Sequence, residues 1–275
     1  MILYRTADGW IVEEAGRFNP LEEKSLDELL AREDLETYLA SRLKAGATPG
    51  AMDDKKLLAP VGTQEVWAAG VTYLRSRAAR MAESKDAGGG DFYDRVYAAE
   101  RPELFFKALA QKVVGPGAAV GIRSDATWNV PEPEMVLVIS SAGKIVGYTI
   151  GNDMSSRDIE GLNPLYLPQA KVYNRSCALG PGILITSQTL PVETRIQLTI
   201  ARGAQTAFAG ETSLTQMKRK PQELVEYLYR DQTFSTGAFL LTGTGVVPPD
   251  SFTLKTGDRI RIAIDGIGVL TNPVG

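Results

Sequence analysis

Residues 131–139 have the sequence PEPEMVLVI, in which two acids open an apolar run. On an extended chain alternate side chains share a face, so Glu132 and Glu134 point the same way. Pro131 and Pro133 fix φ and favour this extended state. The stretch therefore predicts a β-strand that begins with two carboxylates and continues into the core.

The segment that follows supplies a third acid. A turn at residues 141–144 (SAGK) would pair residue 140 with residue 145 in an antiparallel hairpin. The same register places Glu134 opposite Gly151 and Glu132 opposite Asp153, and directly opposed residues lie roughly 4.5–5.5 Å apart on one face. We expect these three carboxylates to meet at one end of the hairpin. A slip of one residue would turn Asp153 to the other face.

Three carboxylates at such distances repel one another unless a cation lies between them. Hard divalent ions prefer oxygen ligands, so we expect Mg²⁺ first, with Mn²⁺ or Ca²⁺ as alternatives. The competing interpretation is that Glu132 and Glu134 form a solvated strand end. The flanking prolines, the apolar continuation and the hairpin partner favour the metal site.

The main part of the chain predicts a mostly antiparallel β architecture, because many short apolar segments are separated by turns rich in Gly and Pro. Strands are expected at 118–123, 134–140, 145–151, 182–187, 194–202, 205–211, 238–242 and 258–264. One helix, 221–230, interrupts them and begins at Pro221, a residue favoured in the first helical turn. Further helices are predicted at 74–86 and 92–101.

A small unit precedes this β region. Residues 1–12 predict a hairpin, and an S-x-x-E capping box at residue 25 opens an amphipathic helical region. A polar joint containing Gly and Pro follows over residues 46–56 (GATPGAMDDKK). We therefore divide the chain into a small N-terminal domain, 1–60, and a main domain, 61–275.

The composition excludes several classes of function. The 275 residues are 44% hydrophobic and 23% charged with a net charge of −3, so neither disorder nor a nucleic-acid or membrane partner is indicated. There is no histidine, which excludes Ser-His and Cys-His nucleophile systems and His-ligated metals. The single cysteine, Cys177, cannot form an internal disulfide and is interpreted as core. With neither a signal-peptide pattern nor an apolar run of ~20 residues, we expect a cytoplasmic protein.

Two other residues are candidates for acid–base chemistry. Glu103 lies in RPELFFK (101–107) beside two phenylalanines, where an acid held against apolar surface can act near neutrality. Lys171 could serve as a catalytic amine or pair with a substrate oxyanion. For each of them the alternative is an ordinary solvated side chain.

Two glycine-containing segments are candidates for binding and motion. Residues 241–245 (LTGTG) could offer backbone N–H and hydroxyl groups to an anion, although they match no nucleotide-binding motif. The run Gly88-Gly89-Gly90 could hinge a lid over the site or form a plain flexible loop.

Over about residues 60–275 the chain resembles the fumarylacetoacetate hydrolase superfamily. The matching motifs are the Gly70-Val71-Thr72-Tyr73 turn, the Glu132-x-Glu134 strand, GNDMSSRD at 151–158, Lys171 followed by ALGP at 178–181, the TGT turn at 242–244 and IDGIGVLTNPV at 264–274.

This resemblance implies an α+β fold: a mixed, mostly antiparallel β-sandwich roll with a small α/β N-terminal domain, assembled as a homodimer or homotetramer. The site residues that it implies are a Mg²⁺ set (Glu132, Glu134, Asp153), a catalytic pair (Glu103, Lys171) and two substrate-binding residues (Tyr73, Thr244).

One departure from the superfamily pattern is informative. Relatives that cleave C–C bonds place a histidine three residues after the tyrosine of the turn, where this chain has Ser76. A chain without histidine cannot build their water-activating pair, so the resemblance points to a dehydratase. It implies a 2-keto-3-deoxy sugar acid as substrate, a pentonate such as the arabinonate or xylonate, and 2,5-dioxopentanoate as product. The alternatives are a metal-dependent hydrolase or decarboxylase of short 2-oxo or β-diketo acids, and a binding module without activity.

Overall fold

The computed structural model describes residues 1–74 and 95–275. Ser76, the Gly88-Gly89-Gly90 run and nearly all of the helix predicted at 74–86 lie outside these residues. Of the helix predicted at 92–101, residues 95–98 are described and helical, and this partly described helix carries no label.

Apart from that helix, the described residues form seventeen strands and five α-helices. The strands are β1 (Ile2–Thr6), β2 (Gly9–Glu14), β3 (Arg17–Pro20), β4 (Thr48–Pro49), β5 (Glu65–Gly70), β6 (Glu103–Ala108), β7 (Val113–Val114), β8 (Asn129–Val130), β9 (Pro133–Ile139), β10 (Ile145–Asp153), β11 (Ser155–Ser156), β12 (Cys177–Ile185), β13 (Arg195–Arg202), β14 (Gln205–Ser213), β15 (Ala238–Leu241), β16 (Arg259–Ile264) and β17 (Gly268–Pro273). The helices are α1 (Leu26–Leu30), α2 (Leu35–Gly46), α3 (Arg157–Leu162), α4 (Leu167–Lys171) and α5 (Pro221–Leu228).

Most of the strands belong to one large sheet of mixed direction. Its order is β4-β3-β2-β1-β12-β10-β9-β15-β5-β6, with β7 paired to β12. Only the pairs β15–β5 and β12–β7 are parallel among the described strands of this sheet. A second sheet has the order β14-β13-β16-β17, and β8 pairs with β11. The expectation of a mixed, mostly antiparallel fold is confirmed.

The central strand β9 is buried on both faces. Met135, Leu137 and Ile139 pack in one apolar cluster with residues of the second sheet and α5. Val136 and Val138 pack in another cluster with α1 and α2. A strand covered on both faces has no reason to alternate with polar residues, which explains the continuous apolar run.

The β9–β10 hairpin has the predicted register at its open end but not at its turn. Glu134 pairs with Gly151, and the Asp153 N–H donates to the Glu132 carbonyl at 3.0 Å. Near the turn, however, Ile145 pairs with Ile139, so the predicted pairing of residues 140 and 145 is wrong. Val146 is an extra residue in β10, and this bulge shifts the ladder by one before the carboxylates are reached.

Other predicted elements are confirmed with small changes. Every predicted strand except 118–123 overlaps an observed one; in that segment Val120 forms only an isolated bridge with Val274. The N-terminal helical region is divided into α1 and α2, and Ser25 caps α1 by accepting the Glu28 N–H at 3.3 Å.

The strands of residues 1–60 extend the large sheet, because β1 pairs with β12 through Ile2 and Leu184. The division of the chain at residue 60 stays a prediction.

Of the helices in residues 1–74 and 95–275, none is long and apolar enough to cross a membrane.

Because of the strand directions, the ends of several strands meet at one edge of the large sheet. β5, β10 and β15 end there, whereas β6, β9 and β12 begin there. The side chains considered next all lie at this edge.

Candidate active site

Three buried carboxylates meet at the edge of the large sheet. Glu132, Glu134 and Asp153 each offer an oxygen atom, and these atoms lie within 4.8 Å of one another. Alternation along β9 aligns the two glutamates, and the β9–β10 pairing adds the aspartate. The sequence prediction that these three residues come together is confirmed.

Basic side chains surround two of the three carboxylates. The Lys171 ammonium donates to Glu132 Oε2 at 2.7 Å, to Asp153 Oδ2 at 3.0 Å and to the Ser155 hydroxyl at 2.5 Å. Lys107 forms an ion pair with Asp153 Oδ1. Arg157 donates to Glu132 Oε1 at 2.8 Å. Buried charges are tolerated only when they are paired in this way.

Glu134 is different, because it has no ion-pair partner among the described residues. Its Oε2 accepts the Gly243 N–H at 2.6 Å. Burial raises the pKa of Glu134 well above its ordinary value, and the negative charges of Asp153 and Glu132 raise it further. Burial acts in the same direction on Asp153, but the positive charges of Lys107 and Lys171 outweigh it and hold the pKa of Asp153 below its ordinary value.

This donor set fits a hard divalent cation. All three ligand candidates are carboxylates, and such ions take oxygen ligands. Glu134 is the carboxylate of the cluster that has no direct ion pair with a described side chain, although the positive charge of Lys171 acts to lower its pKa. A divalent ion would compensate the charge of Glu134.

Glu103 borders the same site from β6. It lies opposite Gly70, and its Oε2 occupies the position that a Cβ atom on residue 70 would take. This buried oxygen has no hydrogen-bond partner among the described residues. Strand alternation puts Phe105 on the same face as Glu103, and the Lys171 ammonium lies 5.8 Å from the centre of the Phe105 ring.

A small, partly open cleft lies beside the three carboxylates. The three carboxylates line it together with Lys171, Arg157, Phe105 and residues at the ends of β5 and β15, whereas Glu103 lies behind the lining residue Gly70 and does not line the cleft itself. Thr244 is one of the lining residues, which suits its predicted contact with substrate. Tyr73 is fully buried and pairs with Met217 in an isolated bridge, but it is not one of the lining residues. Its substrate-binding role stays a prediction.

Sequence reasoning missed the roles of Lys107 and Arg157, whereas the segment 241–245 that was expected to offer backbone N–H groups to an anion supplies the Gly243 N–H to the Glu134 carboxylate. A partial signal existed for both missed residues, since Lys107 is two residues beyond Phe105 on a strand and Arg157 lies in the GNDMSSRD segment. What could not be read from the sequence is that β15 and β5 lie between β9 and β6. That order brings the Gly243 amide to Glu134, while a separate approach of β6 to the end of β10 brings the Lys107 ammonium to Asp153.

The chain matches a known protein family and is similar in sequence to known proteins. Residues 65–275 match the family described as fumarylacetoacetate (FAA) hydrolase C-terminal. The chain is 46% identical over 231 residues to the probable 2-keto-3-deoxyxylonate dehydratase of Haloferax volcanii, covering 84% of this chain and 78% of that protein. It is 42% identical over 227 residues to the 2-dehydro-3-deoxy-D-arabinonate dehydratase of Saccharolobus solfataricus, covering 81% and 76%.

A solved structure extends the similarity to the whole chain. It is a 2-keto-3-deoxy-D-arabinonate dehydratase complexed with magnesium and 2,5-dioxopentanoate, with a TM-score of 0.85 and 34% identity. The similarity covers 100% of this chain and 98% of that one.

Proposed function

The chain belongs to the fumarylacetoacetate hydrolase family, and from this premise we propose that it dehydrates a 2-keto-3-deoxy pentonate to 2,5-dioxopentanoate with the help of Mg²⁺. The arabinonate and xylonate derivatives are the substrates we expect, because the relatives above are named for them. With C2 a ketone and C3 a methylene, C4 is the one stereocentre left, so the D-arabinonate and D-xylonate derivatives are the same compound and only the L series differs from it.

The observation that supports this proposal best is the buried cluster of Glu132, Glu134 and Asp153 beside Lys171 and Glu103. We propose that the three carboxylates hold the ion. When bound, Mg²⁺ would polarise the 2-keto group of the substrate and so acidify its C3 protons.

The reaction breaks the C3–H and C4–O bonds, forms a C3–C4 double bond and releases water. One group must remove the C3 proton, and another must protonate the departing C4 hydroxyl. Lys171 lines the cleft, and Glu103 packs against Gly70 in the cleft wall; we propose that they divide these tasks between them. A further proton shift from C5 to C3 then gives an enol with a C4–C5 double bond, and transfer of its hydroxyl proton to C4 gives the aldehyde, so that atoms balance.

The proposal is tested with the purified chain, Mg²⁺ and a panel of 2-keto-3-deoxy aldonates. A semialdehyde dehydrogenase coupled to the assay reports 2,5-dioxopentanoate. We expect turnover of a pentonate with one equivalent of semialdehyde and no loss of carbon. Two fragments or CO₂ would instead indicate the hydrolase or decarboxylase, and Mg²⁺ binding without turnover would indicate a binding module.

Two matched variants distinguish a specific effect on the site from a general effect on the fold. Glu132→Gln should abolish turnover and Mg²⁺ binding, whereas Glu193→Gln, at an exposed position, should change neither. The predicted cytoplasmic location and the homodimer or homotetramer stay predictions; light scattering of the purified chain tests the second.

A further inference from the structure

Lys107 is a buried lysine for which the proposed reaction has no task. Its side chain has 0% exposure. The ammonium pairs with Asp153 Oδ1 and donates to the backbone carbonyls of Met154 at 3.0 Å and Lys171 at 2.5 Å. An ammonium group has three hydrogens, and these three acceptors use all of them.

Each acceptor belongs to a segment that forms the site. Asp153 is the last residue of β10, and Met154 leads into the segment that contains Ser155. Lys171 is the last residue of α4, where a helix leaves carbonyl groups without an internal partner. One side chain on β6 therefore connects the proposed metal site to the backbone that supports the proposed acid–base lysine.

Lys107 itself does not line the cleft. A fully bonded ammonium that does not reach the cleft cannot exchange a proton with the substrate directly. It can act only through the groups that it holds, which are the Asp153 carboxylate and the Lys171 backbone.

We propose that Lys107 is a positioning residue for the dehydration: it fixes Asp153 through Oδ1, so that Oδ2 faces Lys171, and it fixes the end of α4 from which the Lys171 side chain extends. The inference rests on the proposed function, since it assigns a role to a residue around that same site. Its central test does not require turnover.

The experiment compares Lys107→Met with Lys112→Met, an exposed lysine that receives the same substitution. Circular dichroism verifies folding, and calorimetry measures Mn²⁺ affinity. Loss of a positive charge beside the carboxylates would by itself strengthen Mn²⁺ binding. Loss of a group that orients a metal ligand instead weakens metal binding by about 10- to 100-fold. We expect the weaker binding in Lys107→Met and an unchanged affinity in Lys112→Met.

Steady-state kinetics provide a second test of the role of Lys107. At saturating metal we expect kcat of Lys107→Met to fall on the order of 100-fold, because displacement of reacting groups by about 1 Å has effects of that size. KM should stay within about threefold of the wild-type value, since a residue outside the cleft contributes little to uniform substrate binding. Lys107→Arg keeps the charge but not the geometry of the ammonium, and should resemble Lys107→Met.

Unchanged or tighter Mn²⁺ binding in folded Lys107→Met would overturn the proposal, as would Lys107→Arg with wild-type kinetics. If the variants do not fold, a crystal structure of the wild-type chain with Mg²⁺ and 2,5-dioxopentanoate provides the test. Lys107 should then still bond to Asp153 and the Lys171 carbonyl, and a contact between Lys107 and the product would refute the idea. A wild-type chain that turns over no sugar acid refutes the proposed function but leaves the Mn²⁺ comparison intact.

Discussion

Gly70 and Glu103 lie opposite each other on β5 and β6, and the Glu103 carboxylate occupies the space that a side chain on residue 70 would need. The absence of a side chain at Gly70 therefore allows Glu103 to lie against the wall of the cleft. Two residues 33 positions apart in the sequence are packed against each other, because β5 and β6 are neighbouring strands of the large sheet.

Gly70→Ala should displace Glu103 while leaving the fold intact, since the clashing atoms are the far end of a flexible side chain. We expect kcat to fall on the order of 100-fold and the melting temperature to change little. Gly46→Ala is the matched control, because a Cβ there makes only an ordinary contact at 3.5 Å. A Gly70→Ala enzyme with wild-type kcat would contradict the proposed role of Glu103.

Glu134→Gln should remove metal-dependent stabilisation. For the wild-type chain, Mg²⁺ at about 100 times its Kd should add about 2.7 kcal/mol to the free energy of unfolding. The metal-free variant should melt at or above the metal-free wild type, because it no longer buries a carboxylate beside Glu132 and Asp153. Melting curves with and without Mg²⁺ measure both effects. An equal Mg²⁺-dependent rise in wild type and variant would count against Glu134 as a ligand.

The Asp258–Arg202 ion pair, which lies outside the candidate active site, predicts that the stability of the fold depends on pH. Arg202 donates from Nε to Asp258 Oδ1 at 2.8 Å and from Nη2 to Oδ2 at 2.7 Å. Burial acts to raise the pKa of Asp258, but these bonds and the Lys255 N–H outweigh it and lower the pKa. A lowered pKa in the folded state stabilises the protein above the ordinary Asp pKa, and the stabilisation is lost as pH falls through the folded value.

Asp258→Asn should therefore cost about 1 kcal/mol near pH 7, a modest amount because Arg202 is partly exposed. The difference from wild type should shrink as the pH falls below about 4. Urea unfolding at several pH values measures it. Asp250→Asn, at an exposed position, should show no such trend. A pH-independent difference would mean that the charge of Asp258 is not what stabilises the fold.

Thr244→Val tests whether the cleft residue that follows β15 binds substrate. Thr244 lines the cleft, and its hydroxyl also bonds to the backbone of Val246 at 3.1 and 3.2 Å. If the hydroxyl binds substrate, its loss should raise KM by about tenfold, which corresponds to one hydrogen bond of about 1.4 kcal/mol. Thr206→Val, exposed on β14, should leave KM unchanged. Equal KM values for the two variants would remove Thr244 from the substrate-binding set.

The sequence by itself was sufficient to predict that the three carboxylates come together. β9 and β10 are joined by a short turn, so their pairing depends on local residues, and strand alternation then orients Glu132, Glu134 and Asp153. The bulge at Val146 moved the pairing near the turn but left the open end of the hairpin in the predicted register.

Only the tertiary structure showed how the cluster is surrounded. Lys107 and Gly243 reach the carboxylates from distant parts of the chain, Arg157 reaches Glu132 from the start of α3, and Glu103 packs behind the cleft wall at Gly70. The Gly243 and Glu103 contacts depend on the order β9-β15-β5-β6, in which neighbouring strands are separated by many residues. Turn chemistry and periodicity act over a few residues, whereas the order of distant strands is set by the packing of the whole core. For that reason the sequence determined the carboxylates, and the tertiary structure decided which basic groups balance them and where Glu103 and Lys171 lie.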